Sequence, residues 1–103
     1  MVPIKRFVVA EDSMLPSLRS GDGLIAVRSR RLRRGQIRCF EHPGQPGFWL
    51  VKRVGEIRGD TFEAVSDNRS VATVDSRRFG FVPAGDSYRM VLKVPGGRDR
   101  SLR

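Results

Sequence analysis

Phe48-Trp49-Leu50-Val51-Lys52-Arg53-Val54 is the most apolar stretch of the chain and sets the fold class. Its aromatic and β-branched residues follow the turn chemistry of Pro43-Gly44-Gln45-Pro46-Gly47. So short a run, bounded in that way, reads as a buried strand rather than a helix. Working outward, similar runs lie near residues 4 to 10, 23 to 28, 36 to 40, 61 to 65, 79 to 83 and 88 to 94. Ser20-Gly21-Asp22-Gly23 and Arg58-Gly59-Asp60 supply further turns. A single helical turn is anticipated, around Leu15 to Arg19. Short strands at this spacing predict a mainly β, compact single domain, wrapped into a small barrel or sandwich. Residues 1–95 make up that domain, and residues 96–103 read as a basic disordered tail.

A chain of 103 residues has room for one modest core, and 39% apolar with 30% charged residues is a globular composition. No apolar run reaches the 18 or so residues of a membrane span. Phe7-Val8-Val9-Ala10 runs into Glu11 and Asp12 and reads as a strand rather than a secretory segment. The single cysteine, Cys39, rules out an internal disulfide and a cysteine metal cluster. No metal and no cofactor is therefore expected, and a reducing, cytoplasmic setting fits. Cys39 alternates with polar neighbours in Ile37-Arg38-Cys39-Phe40 and reads as a half-buried strand residue, while His42 reads as an exposed loop residue.

The formal net charge of +9 points to an acidic partner such as nucleic acid, an anionic membrane surface or an acidic protein. Much of it is local, in Arg28-Ser29-Arg30-Arg31-Leu32-Arg33-Arg34 and in the tail from Arg98 to Arg103. Both runs read first as a solvated loop and a frayed tail. No aromatics interleave with them to stack on bases, so nucleic acid is disfavoured. Peripheral contact with an anionic membrane stays open.

The chemistry concentrates in Glu11-Asp12-Ser13-Met14-Leu15-Pro16, just ahead of Gly21-Asp22. A serine nucleophile needs a base, and the only histidine lies in a loop. A lysine amine can serve when it is neutral, which requires burial to lower its pKa by about 2 to 3 units from 10.4. Only three lysines stand against seventeen arginines, and while Lys5 and Lys93 lie near the ends, Lys52 sits in the most apolar stretch, among Trp49, Leu50, Val51 and Val54. Such a lysine either snorkels to solvent or is desolvated for use as a base.

Ser13-Met14-Leu15-Pro16, Gly21-Asp22, Lys52-Arg53-Val54, Asp67-Asn68, Asp75-Ser76-Arg77 and Gly80-Phe81-Val82-Pro83 follow one another in an order that resembles the type I signal peptidase family. The wider superfamily includes the self-cleaving domains of LexA-like repressors, which are mainly β and use a Ser-Lys dyad. The resemblance implies Ser13 as nucleophile and Lys52 as general base. It implies that Thr73 orients the lysine, that Asp75 and Arg77 form a bracing ion pair, and that Met14 contributes to the wall of the substrate pocket. It also implies a precursor polypeptide bound in extended form, with small side chains flanking the cut. Two positions depart from the family pattern. Glu11 stands where glycine or serine is usual, and its carboxylate would oppose a developing oxyanion. Ser66 replaces the glycine before Asp67-Asn68. The chain has no room for the family's membrane helix and second β-domain. It is similar in this to short members described as nickel superoxide dismutase maturation proteases, which remove an N-terminal extension from a soluble precursor. Only twelve residues precede Ser13, which disfavours a self-cleaving repressor. The function expected is a serine endopeptidase that removes a leader segment. The alternative is an inactive basic β-domain that binds nucleic acid or an anionic surface.

Overall fold

The computed structural model describes residues 3–68, 80–95 and 100–102. Eight strands, β1 Ile4–Val9, β2 Gly23–Arg28, β3 Ile37–Glu41, β4 Trp49–Arg58, β5 Thr61–Val65, β6 Val82–Pro83, β7 Tyr88–Val94 and β8 Arg100–Leu102, form one sheet in the order β6-β5-β4-β3-β7-β2-β1-β8. All neighbours are antiparallel except β1 and β8. The helical turn is a tight turn over residues 13–17 closed by Leu18 N–H donating to the Met14 carbonyl at 2.9 Å, and no helix forms among the described residues.

The apolar run of β4 is continuous because the sheet is covered on both faces there, and a strand buried on both sides cannot alternate with polar residues. Trp49 and Val51 enter one core with Phe7, Val9, Met14, Leu18, Leu24, Ala26, Ile37, Cys39 and Tyr88. Leu50 and Val54 point the other way, into a second core with Phe40, Phe62, Ala64 and Val82. The first core is enclosed by β1, β2, β7, β3 and β4 and carries an aromatic cluster, with Trp49 5.1 Å from Phe7 and 6.0 Å from Tyr88 between ring centroids. The expected small β-barrel or sandwich is, among the described residues, one eight-stranded sheet with a core on each side of β3 and β4. By strand alternation Lys52 shares the Leu50 and Val54 face, so Trp49 and Val51 flank it in sequence but not on its own side.

Several local expectations change. Cys39 is fully buried, not half-buried, because its side faces the first core. Burial pushes its thiol pKa up, which keeps it neutral. His42 is half-buried, with its ring edge-on to Phe48 and its Nδ1 accepting from Gly44 N–H at 3.0 Å. The arginine-rich loop is not simply solvated. Arg38 is fully buried beneath it and donates to the carbonyls of Ser29 and Arg31, to Ser87 Oγ and to Gln36 Oε1. This tethers the loop to the sheet. In the tail expected to be disordered, Arg100–Leu102 pair with Phe7–Val9 as β8. A sheet edge offers main-chain partners whatever side chains the incoming segment carries.

Candidate active site

Ser13 lies in the turn between β1 and β2, and main-chain bonds fix that turn at both ends. Val9 N–H donates to the Asp22 carbonyl at 2.8 Å and Gly21 N–H to the Val9 carbonyl at 2.7 Å. Gly21 takes a φ of 96°, which few residues other than glycine adopt, and this brings the chain back into β2. Inside the turn, Leu15 N–H donates to the Asp12 carbonyl at 3.2 Å. Met14 and Leu18 hold the turn down by inserting into the first core. Met14, expected to help form a pocket wall, is completely buried in the first core, so in this structure it anchors the turn.

The far side of the turn is fastened to the end of β5. Asn68 N–H donates to the Ser13 carbonyl at 2.9 Å, and Asn68 Nδ2 donates to the Asp12 carbonyl at 2.9 Å. Arg53 of β4 grips Asp67 with a two-point fork, Nε to Oδ1 at 2.8 Å and Nη2 to Oδ2 at 2.7 Å, and also donates to the Gly35 carbonyl. Ser17 Oγ donates to Asp67 Oδ2 at 2.7 Å and accepts from Arg53 at 3.2 Å. The Arg53 hydrogen bonds hold the Asp67 carboxyl below the usual carboxylate range, with the Ser17 bond adding to the effect against the opposing effect of burial. Asp67, Asn68, Arg53 and Ser17 were given no individual role on sequence grounds. The signal available was the pairing of the Lys-Arg and Asp-Asn motifs, of which Arg53 and Asp67 bind each other and Arg53, Asp67 and Asn68 bind the Ser13 turn.

The Ser13 side chain is 3% exposed, and its hydroxyl finds no hydrogen-bond partner among the described residues. Leaving a buried hydroxyl unsatisfied costs about 1 to 3 kcal/mol, and buried polar groups are rarely left so without a functional reason. Lys52 is 1% exposed in the middle of β4, so it does not snorkel to solvent. The structure brings its strand to the Ser13 turn through the adjacent Arg53, although the Ser13 hydroxyl is not hydrogen-bonded to the lysine amine. Glu11 is exposed beside the turn, and Ser66 is buried at the end of β5. Thr73, Asp75 and Arg77 lie outside the described residues. A cavity of about 610 Å³ at the opposite end of the sheet, lined among others by Lys5, Arg28, Trp49 and Tyr88, contains neither Ser13 nor Lys52.

Residues 5–82 match the sequence model of the Peptidase S24-like family. The chain belongs to the Peptidase S24-like family. The match spans the Ser13 turn, β2 to β5 and the Asp-Asn segment, which places the chain in the LexA and signal peptidase-like superfamily of Ser-Lys peptidases. No curated protein and no solved structure matches this S24-like chain. Among the described residues no helix is long and apolar enough to cross a membrane, and no group of histidine, cysteine or carboxylate residues could hold a metal ion.

Proposed function

We propose that the protein is a serine endopeptidase that removes an N-terminal leader from a precursor bound in extended form. The observation that carries the reading is the enclosed, unbonded Ser13 hydroxyl on a turn fastened at both ends. It is supported by a lysine buried in the neighbouring strand of an S24-like domain. Ser13 Oγ attacks the scissile carbonyl while its proton passes to the neutral Lys52 amine, and the ammonium so formed returns that proton to the leaving amine. The ester left on the leader is then hydrolysed by a water that Lys52 deprotonates. The hydrogen bond that the apo geometry leaves open closes when substrate fills the site, as catalytic hydrogen bonds often do. The charge of Glu11 disfavours it as an oxyanion donor, which leaves the Ser13 N–H as the chief donor. In this reading Thr73 has the role of orienting Lys52, and Asp75 and Arg77 that of a bracing ion pair. An anionic membrane surface is the peripheral contact that the net charge of +9 favours.

A fluorophosphonate or peptide-aldehyde probe tests the reading. Adduct formation should map to Ser13 and vanish in both Ser13→Ala and Lys52→Met while circular dichroism stays unchanged. Labelling that survives Ser13→Ala would remove the nucleophile, and cleavage that survives Lys52→Met would remove the base. A second reading, a non-catalytic basic β-domain on nucleic acid or an anionic surface, draws on the arginine loop that Arg38 tethers to the sheet. It requires a folded protein inert to both probes that binds polyanions in a salt-dependent way.

A further inference from the structure

Arg38 of β3 stands directly opposite Lys52 of β4, and on its other side directly opposite Arg89 of β7. Residues opposite one another in an antiparallel ladder project from the same face, with Cβ atoms about 4.5 to 5.5 Å apart. Lys52, Arg38 and Arg89 therefore form a cross-strand row of three basic residues, of which Arg38 and Lys52 are 0% and 1% exposed. Like charges placed opposite each other destabilise a sheet, and an apolar residue at position 38 would serve the strand better. The acceptors that hold the Arg38 guanidinium are the carbonyls of Ser29 and Arg31, Ser87 Oγ at 2.8 Å and Gln36 Oε1 at 3.1 Å. None of these four is a carboxylate. They fix the group in place without neutralising it.

We propose that Arg38 is a positioning residue for the lysine base, its buried positive charge favouring the neutral amine of Lys52. This rests on the reading of Lys52 as the base. The groups that register and alternation bring to the Lys52 face are Leu50 and Val54 on its own strand, Arg38 and Phe40 on β3, Ala64 and Phe62 on β5, and Arg89 beyond Arg38 on β7. Continuing the β4 and β5 register places Ser66 across from Lys52. Among the described residues, the charged members of this set are both arginines. Burial and the neighbouring Arg89 pull the Arg38 pKa down to about 10, which leaves it cationic at neutral pH. Lysine has the lower intrinsic proton affinity of the three, near 10.4 against more than 12 for arginine. The row is therefore relieved first by proton loss from Lys52. In the lysine-dyad chemistry proposed above, that deprotonation is what arms the base.

The chain has only three lysines, Lys5, Lys52 and Lys93, so an NMR titration of protein labelled with carbon-13 at the lysine side chains resolves each one. Lys52→Met assigns the Lys52 signal. In Arg38→Gln the Lys52 midpoint should rise by about one pH unit or more, with the acidic limb of kcat/KM moving with it. Arg89→Gln should shift it in the same direction by less. Arg38→Lys keeps the charge but loses the two-sided fork, so it should lower Tm while leaving the midpoint close to that of the parent. If Arg38→Gln does not fold, the more exposed Arg89→Gln decides the matter. An unmoved midpoint in the folded glutamine variants would overturn the proposal, as would an Arg38→Lys shift as large as that of Arg38→Gln. Because the titration reads Lys52 directly, it is separate from the cleavage assay, in which an active Lys52→Met would instead remove the base reading.

Discussion

Asp67 accepts both prongs of Arg53 and the Ser17 hydroxyl, so one carboxylate ties β4, the end of β5 and the turn that carries Ser13 together. Asp67→Ala leaves Arg53 and Ser17 without that acceptor. It should cost about 1 to 2 kcal/mol in urea unfolding, because Arg53 stays about a third exposed and solvent screens the pair. The carboxyl has a lower pKa folded than unfolded. Its contribution is therefore fully present above the unfolded value near 3.9 and fades as pH falls through that value toward the folded one. Tm recorded from about pH 6 down to pH 2.5 should show a steeper acid loss in the parent than in Asp67→Asn, and parallel curves would remove this role. Cys39 yields a second residue-scale expectation. A thiol that is both buried and neutral should resist iodoacetamide in the native protein and react fully in urea, whereas fast native labelling would contradict its packing. Ser13 and Lys52 were legible as candidates because their chemistry imposes local demands, a serine in a turn and a lysine in an apolar strand. Arg38 and Asp67 were not, because their roles are set by partners up to 49 and 50 residues away. Nothing in the immediate sequence names those partners.

At the level of elements, β2, β5 and β7 follow the apolar pattern to the residue, since Gly, Asp and Pro bound each run. β4 does not. It continues through Gly55-Glu56-Ile57-Arg58 to pair with β5, and the ladder absorbs this polar half through an irregularity between Val54 and Ile57. Hairpin pairing sustains that extension where side-chain pattern alone gives no signal. β8 was likewise hidden, because a basic segment joins a sheet edge through its main chain. Gly23, which opens β2, shows how closely two of these elements meet. A Cβ there would lie 2.7 Å from the Pro95 carbonyl oxygen and 2.9 Å from that of Val94, both backbone atoms that cannot swing aside. Gly23→Ala should push β7 away from β2 and destabilise the domain by about 1 to 3 kcal/mol in urea unfolding, the range for an overpacked site. A change within a few tenths of a kcal/mol would show that the end of β7 yields freely.

For the whole molecule, 20 basic residues against 11 carboxylates leave a net charge of +9 on 103 residues. The ion pairs in which both partners are substantially exposed, Arg28 with Asp86 and Arg58 with Glu56, contribute little against that excess. Arg38 and Arg89, opposite each other on β3 and β7, add like charge inside the sheet. Self-repulsion of a compact basic domain weakens as salt shortens the Debye length from about 30 Å at 0.01 M to about 8 Å at 0.15 M. Tm at pH 7 should therefore rise as sodium chloride is added over that range, opposite to the trend for a domain held by surface ion pairs. The rise should be larger at pH 3. There the protonation of most carboxylates carries the net charge toward its limit of +21, set by 20 lysines and arginines and one histidine, just as the Asp67 contribution is being lost. A Tm that falls with added salt at pH 7 would mean that local pairs outweigh the net repulsion. The Arg53 and Asp67 fork, the least exposed of the described pairs, would then be the one to disable next, with Asp67→Asn expected to reverse the sign of the salt response.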